Sequence, residues 1–191
     1  MALDLSSLLG KKNPPLAGLD ISTSDVKIVE LSRSGDNTYR LERCASEPLP
    51  KGAVVDGNIE NIEQVSEAIR KVIKKSGSGV KNVALAMPAS SVITKKIILA
   101  ANLSEQALEV QVESEANQYI PFAMDEVSLD FCVIGPSSNS IEDVEVMLAA
   151  SRKEKIEDRV AVIEASGLQA KVMNKSHFSV FCAFLPDAEV G

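Results

Sequence analysis

The residues best suited to chemistry lie together between Asp20 and Lys27, in the stretch Asp-Ile-Ser-Thr-Ser-Asp-Val-Lys. Ser22, Thr23 and Ser24 bring hydroxyls, Asp25 a carboxylate, and the backbone a run of closely spaced N–H groups. Such a turn can form an anion-binding concavity. Its hydroxyls can donate to phosphate oxygens, the Lys27 ammonium can neutralise charge, and Asp20 can hold Mg²⁺ through water. A Ser/Thr/Asp-rich tip is equally what an exposed hairpin turn carries, so residue types alone leave both readings open.

The flanking runs position this tip. Leu16–Ile21 and Val26–Leu31 are apolar and alternate with a period of two, placing Val26, Ile28 and Glu30 on one face and Lys27, Val29 and Leu31 on the other. The pair predicts a β-hairpin, and Tyr39–Pro48 a third strand after a polar turn at Ser32–Asn37. Pro50–Asn58 reads as loop. Within Ile59–Lys75, the positions Ile62, Val65, Ile69, Val72 and Ile73 recur at helical spacing, and Ser76-Gly77-Ser78-Gly79 ends that helix after a Lys-rich last turn. These glycines lack the Gly-Lys-Ser/Thr continuation of a phosphate loop. Val80–Met87 predicts a buried strand ending at Pro88.

A second module follows: strand Val92–Leu99, a helix over Ser104–Tyr119 capped by Ser104, strands Val127–Ile134 and Val144–Ala150, a helix over Lys153–Ser166 and a closing strand Gln169–Met173. Glu109, Glu113 and Glu115 along the first of these helices read as a solvated face rather than as paired acid/base groups. The leader, Met1–Pro15, carries Leu3, Leu5, Leu8 and Leu9 before Lys11-Lys12 and reads as a short amphipathic, mobile N-terminus.

Composition bounds the function. With 191 residues, 45% hydrophobic and 25% charged, the chain fits one domain or two small ones with a real core. A net charge of −7 argues against nucleic acid as a partner. No apolar run is long enough for a transmembrane span and no cleavable signal is recognisable, which predicts a cytoplasmic protein. Cys44, Cys132 and Cys182 are widely spaced and read as reduced, packed thiols. With His177 as the single histidine, neither a metal cluster nor a Ser/His/Asp triad is credible, and the residue reads as structural.

Taken in order, the motifs resemble the type IV pilus assembly protein PilM family, actin-like proteins related to FtsA. The resemblance rests on GLDISTSDVKIVELSRSG at Gly18–Gly35, EPLPKGAVVDGNI at Glu47–Ile59, ESEANQYIPFAMDEVSLDF at Glu113–Phe131 and MLAASRKEKIEDR at Met147–Arg159. It implies an α/β (α+β) fold: an actin-like, ribonuclease H-like subdomain 1A over residues 16–89 and 174–191, with an FtsA-type (SHS2-like) subdomain 1C inserted at 90–173. The family's second actin lobe, with its second phosphate loop and adenosine site, is not recognisable before Gly191.

For the hairpin the resemblance implies ATP and Mg²⁺, with Asp20, Ser22, Thr23, Ser24 and Lys27 toward the phosphates and Asp20 toward the metal, the site being weakened without a second lobe. For partners it implies the cytoplasmic N-terminal tail of a PilN-like inner-membrane protein, with its Asn-Leu-Leu-Pro-like core, gripped in a groove between 1A and 1C near Tyr119, Ile120, Pro121 and Phe122. Other pilus machinery proteins and a peripheral place at the inner membrane follow from the same resemblance. An ATP-dependent phosphotransferase or ATPase is the alternative. Near the end, Phe178, Phe181, Cys182 and Leu185 fall at helical spacing and predict a short helix against the 1A sheet, ended by Pro186.

Overall fold

Strand β1 (Leu16–Ile21) pairs antiparallel with β2 (Asp25–Arg33), and β2 with β3 (Tyr39–Pro48), so the meander forms as the alternation predicts. A computed structural model of the chain describes residues 16–34 and 38–175. The leader, Gly35 in the polar turn, His177, Cys182 and the helix expected around Phe178–Leu185 lie outside the described residues.

Helix α1 (Ile62–Ser76) begins where the Asn61 side chain accepts a hydrogen bond from the Gln64 N–H at 3.0 Å. It ends at Gly77, whose φ of +66° is the left-handed cap expected there. Val65, Ile69 and Val72 are buried, whereas Ile62 sits at the exposed start. Between β3 and α1 the structure forms a further hairpin, β4 (Val54–Val55) with β5 (Asn58–Ile59), where the sequence reading has loop. Its central residues Asp56 and Gly57 both have positive φ, +49° and +81°, as a type I′ turn requires.

Strand β6 (Asn82–Met87) runs parallel to β1. After Pro88 and a single 3₁₀ turn at Ala89–Ser91, the chain enters a separate antiparallel sheet. Here β7 (Ile93–Ala100) and β8 (Val127–Pro136) flank a central β9 (Asp143–Arg152). Helix α2 (Glu105–Tyr119) packs on this sheet through Val112 and Ala116, while Glu109 and Glu113 face outward. The Ser104 hydroxyl caps its N-terminus, accepting from the Ala107 N–H at 3.3 Å.

One expectation is overturned. The sequence reading places helix α3 (Lys153–Ala165) and β10 (Gln169–Lys175) in the inserted module, ending at Met173. In the structure β10 instead pairs parallel with β6, giving a five-stranded sheet in the order β10-β6-β1-β2-β3. Val162, Ile163 and Leu168 join the first core with Ile69, Val83 and Leu85. Arg70 donates to the Ala165 carbonyl at 3.2 Å, and the Ser166 hydroxyl to the Ser66 carbonyl at 3.3 Å, so α3 lies beside α1. The reason is physical: alternation identifies a strand but not the sheet it joins, and parallel neighbours can be separated by any long crossover. The inserted unit therefore runs over 93–152.

Truncating Ile163 to Ala should destabilise the same unit as truncating Ile69 to Ala, each by about 2–5 kcal/mol for a fully buried isoleucine. Native-state hydrogen exchange is the check. Both variants should speed exchange at β1 and β6 and leave β9 protected, whereas a loss confined to β7–β9 in Ile163→Ala would return α3 to the inserted module.

Candidate functional site

The hairpin tip is knitted together by one hydroxyl. Ser22 Oγ accepts from the N–H groups of Ser24 (3.2 Å) and Asp25 (3.0 Å) and lies 2.5 Å from Asp25 Oδ1, to which it donates. The Ser22 N–H in turn donates to the Asp25 carbonyl at 3.0 Å. Hydrogen bonding from Ser22, reinforced by Lys27 with Nζ 3.3 Å from Oδ1, holds the Asp25 carboxyl below its ordinary value against the opposing effect of burial. The Ser22, Ser24 and Asp25 amides are thus engaged within the turn, and Thr23 is exposed at its apex.

Asp20 and Lys27 sit opposite each other in the β1–β2 register, on the sheet face away from α1. They border a shallow groove of about 350 Å³ whose floor is Gly18, Ala84 and Ala86, with Val29 alongside. The structure therefore brings Asp20 and Lys27 together beside small residues and folds Ser22 and Ser24 into a separate, self-bonded tip. Among the described residues no cluster of His, Cys, Asp and Glu is placed to hold a metal ion directly.

A second concavity, about 290 Å³, lies between the two modules. Ile93, Val127 and Ala150 from the three strands of the inserted sheet line it together with Ile120, Pro121 and Phe122, the chain that leaves α2. Asp56 and Asn58 of the β4–β5 hairpin contribute from the first module, as do Ser90 and Ser91 after β6 and Lys155 on α3. The Ser151 hydroxyl donates to the Ser91 carbonyl at 2.8 Å and ties the two chain crossings together. Arg152 stacks its guanidinium over Phe122, 5.5 Å from the ring centroid, and pairs through Nη2 with Glu154 Oε2 at 2.9 Å.

Of the residues that the resemblance implies near a partner groove, Ile120, Pro121 and Phe122 line this concavity. Tyr119 instead carries the Lys95 ammonium 4.7 Å from its ring centroid, on β7. The first-module wall was missed by sequence, although Val-Val-Asp-Gly-Asn-Ile has the form of a two-residue hairpin.

The family model for the type IV pilus assembly protein PilM matches residues 18–186. The chain belongs to this family. A solved structure described as the PilM–PilN type IV pilus biogenesis complex contains a similar chain, 29% identical with a TM-score of 0.76, over 86% of the present chain and 48% of that one. The present chain thus spans about half the length of that relative. The cytoplasmic domain of EpsL, an inner-membrane component of the type II secretion system of Vibrio cholerae, matches with a TM-score of 0.52. It is 15% identical over 84% of this chain and 56% of its own, a likeness of fold alone. No helix among the described residues is long and apolar enough to cross a membrane.

Replacing Ser22 by Ala should release both the tip amides and Asp25. Because the folded Asp25 carboxyl titrates below 3.8, its contribution to stability is present above that value and is lost as pH falls through the folded pKa. In Ser22→Ala the folded value should rise toward 3.8, so the loss begins at higher pH. Carbonyl-detected NMR titration of Asp25 in both proteins measures this directly; an unchanged Asp25 curve would show that the bond to Ser22 does not set it.

Proposed function

We propose that this chain is an adaptor of type IV pilus biogenesis that captures an extended peptide, the cytoplasmic N-terminal tail of a PilN-like inner-membrane protein, in the groove between its two modules. The observation that carries this reading is the groove itself. It is preformed, mostly apolar at its floor, and rimmed by a few polar groups from both modules, which is the form of a peptide or small-ligand site. The solved relative described as a PilM–PilN complex supports the choice of partner. The fold reading that accompanies it is an actin-like subdomain 1A bearing an inserted FtsA-type subdomain 1C. In the cell the adaptor would be cytoplasmic, peripheral at the inner membrane through this partner and other pilus machinery proteins.

For ATP the fit is incomplete. Lys27 and Asp20 stand beside a trough of small residues, suited to a phosphate oxygen and a hydrated Mg²⁺, but the Ser24 and Asp25 amides are committed to Ser22. We propose weak Mg·ATP contact through Asp20 and Lys27, with Ser22, Thr23 and Ser24 joining only if the tip opens. The phosphotransferase or ATPase reading requires convergent acid/base groups around a bound nucleotide. The apolar groove favours the adaptor.

Calorimetric titration with a synthetic PilN-type tail peptide tests the reading. The wild-type chain should bind saturably, and Ile93→Glu should weaken binding by roughly tenfold or more by placing a carboxylate in the apolar floor. Ile98→Glu, on the exposed face of the same strand, should not. Lys27→Ala should retain peptide binding and the folded circular-dichroism spectrum while losing Mg·ATP contact. Equal effects of the two isoleucine variants would remove the groove from consideration.

A further inference from the structure

The wall that the first module gives to the groove is the Asp56–Asn58 turn, and its own hairpin is too short to hold it. Only Val54–Ile59 and Val55–Asn58 are paired, and an isolated two-stranded hairpin is at best marginally stable. The turn is held from outside, on one flank by the chain leaving β6 and on the other by α3. On one flank it meets the chain leaving β6: a Cβ at Gly57 would stand 2.9 Å from Pro88 Cγ and 3.4 Å from Ser90 Oγ, so only glycine lets the backbone come this close. On the other flank Arg159 of α3, one turn beyond Lys155, donates from Nη2 to the Gly57 carbonyl at 3.0 Å.

Arg159 is an unusual residue for this place. It is 2% exposed, makes no ion pair among the described residues, and its Nη1 is buried without a hydrogen-bond partner. Burial pushes its guanidinium below the ordinary value, an effect that the field of Asp20 opposes. An apolar side chain of similar volume would avoid desolvating an unpaired charge, so stability is a poor reason for an arginine here. What the guanidinium supplies, and a methionine would not, is a donor that reaches from α3 to the turn.

We propose that Arg159 is a positioning residue for the groove: together with Pro88 it clamps the Asp56–Gly57 turn between α3 and the chain leaving β6 and so fixes the wall against which a peptide is gripped. This rests on the peptide-groove reading given above. Bound peptide would meet a wall already in place, and the ordering of that turn would not be charged against its affinity.

The test uses Arg159→Met and Gly57→Ala, each titrated with the PilN-type tail peptide and each followed by thermal unfolding. Arg159→Met should unfold at the same or a higher temperature, because a buried unpaired charge is gone, yet bind the peptide about tenfold more weakly. Gly57→Ala should show a similar loss of affinity, since alanine at this φ and this distance from Pro88 forces the turn away. A lower unfolding temperature with unchanged affinity per folded molecule would make Arg159 structural only. Wild-type affinity in both variants would overturn the proposal while leaving the groove reading intact, whereas a wild-type chain that binds no peptide would remove both. Should Arg159→Met fail to fold, Arg159→Lys, which keeps the charge and shortens the reach to the Gly57 carbonyl, is titrated in its place: weaker binding supports the proposal and wild-type affinity overturns it.

Discussion

Among the described residues the chain leaves its first module once and returns once, and the structure depends on these two crossings being fastened side by side. Ile93 at the start of β7 pairs with Ala150 near the end of β9, and the Ser151 hydroxyl donates to the Ser91 carbonyl at 2.8 Å. The inserted unit is thereby held at its neck by an antiparallel ladder rather than by flexible linkers. Because β9 runs directly into α3 at Arg152, the direction of the central strand of one module sets the start of a core helix of the other. A groove at this neck inherits that definition, since its floor and most of its rim belong to elements that cannot shift without breaking the ladder or lifting α3 from α1.

The first core explains why α3 cannot lift freely. Val162 and Ile163 are fully buried against a layer that includes Ile69, Val72, Leu85 and Leu19. Burying an isoleucine or valine side chain contributes about 1.5–3 kcal/mol, so detaching the helix would forfeit several such terms at once. The opposite face of the same sheet is different in kind. Gly18, Ala84 and Ala86 leave a trough there, and Leu31, Leu41 and Val172 are exposed around it. Burial alternation along β1 is therefore complete on one side and absent on the other, and Asp20 and Lys27 project from the side that has no core.

The elements were legible wherever one period dominated. Val26 and Ile28 alternate with Lys27 and Val29, and Val65, Ile69 and Val72 share a helical face that Asn61 and Gly77 close, so β2 and α1 could be read to within a few residues. The partnership of β10 could not. Its residues alternate acceptably for either sheet, and the choice is made by Val162, Ile163 and Leu168 packing on α1, a contact between residues far apart in sequence. The β4–β5 hairpin was readable in principle from Asp56-Gly57 and was obscured by arms of only two residues each. Ile120, Pro121 and Phe122 were placed near the groove by family resemblance, and spacing alone gave no sign of it. The self-bonded tip was not legible, because whether Ser22 serves an outside phosphate or the neighbouring amides depends on hydroxyl direction rather than on composition.

These contrasts separate the two concavities by what each requires. The hairpin trough is open on the face away from the core, and the Ser24 and Asp25 amides of its tip are taken by Ser22, so a tightly held polyphosphate there would need donors arriving from elsewhere. The neck groove draws its lining from residues between Asp56 and Lys155; the Ser151–Ser91 bond fastens the two chain crossings, and the Arg159–Gly57 bond fastens the turn of the first module to α3. A site whose opposing walls are already bonded into the fold can grip an extended apolar segment without first ordering itself. The physical case for peptide capture accordingly rests on the neck, and does not pass through the β1–β2 hairpin at all.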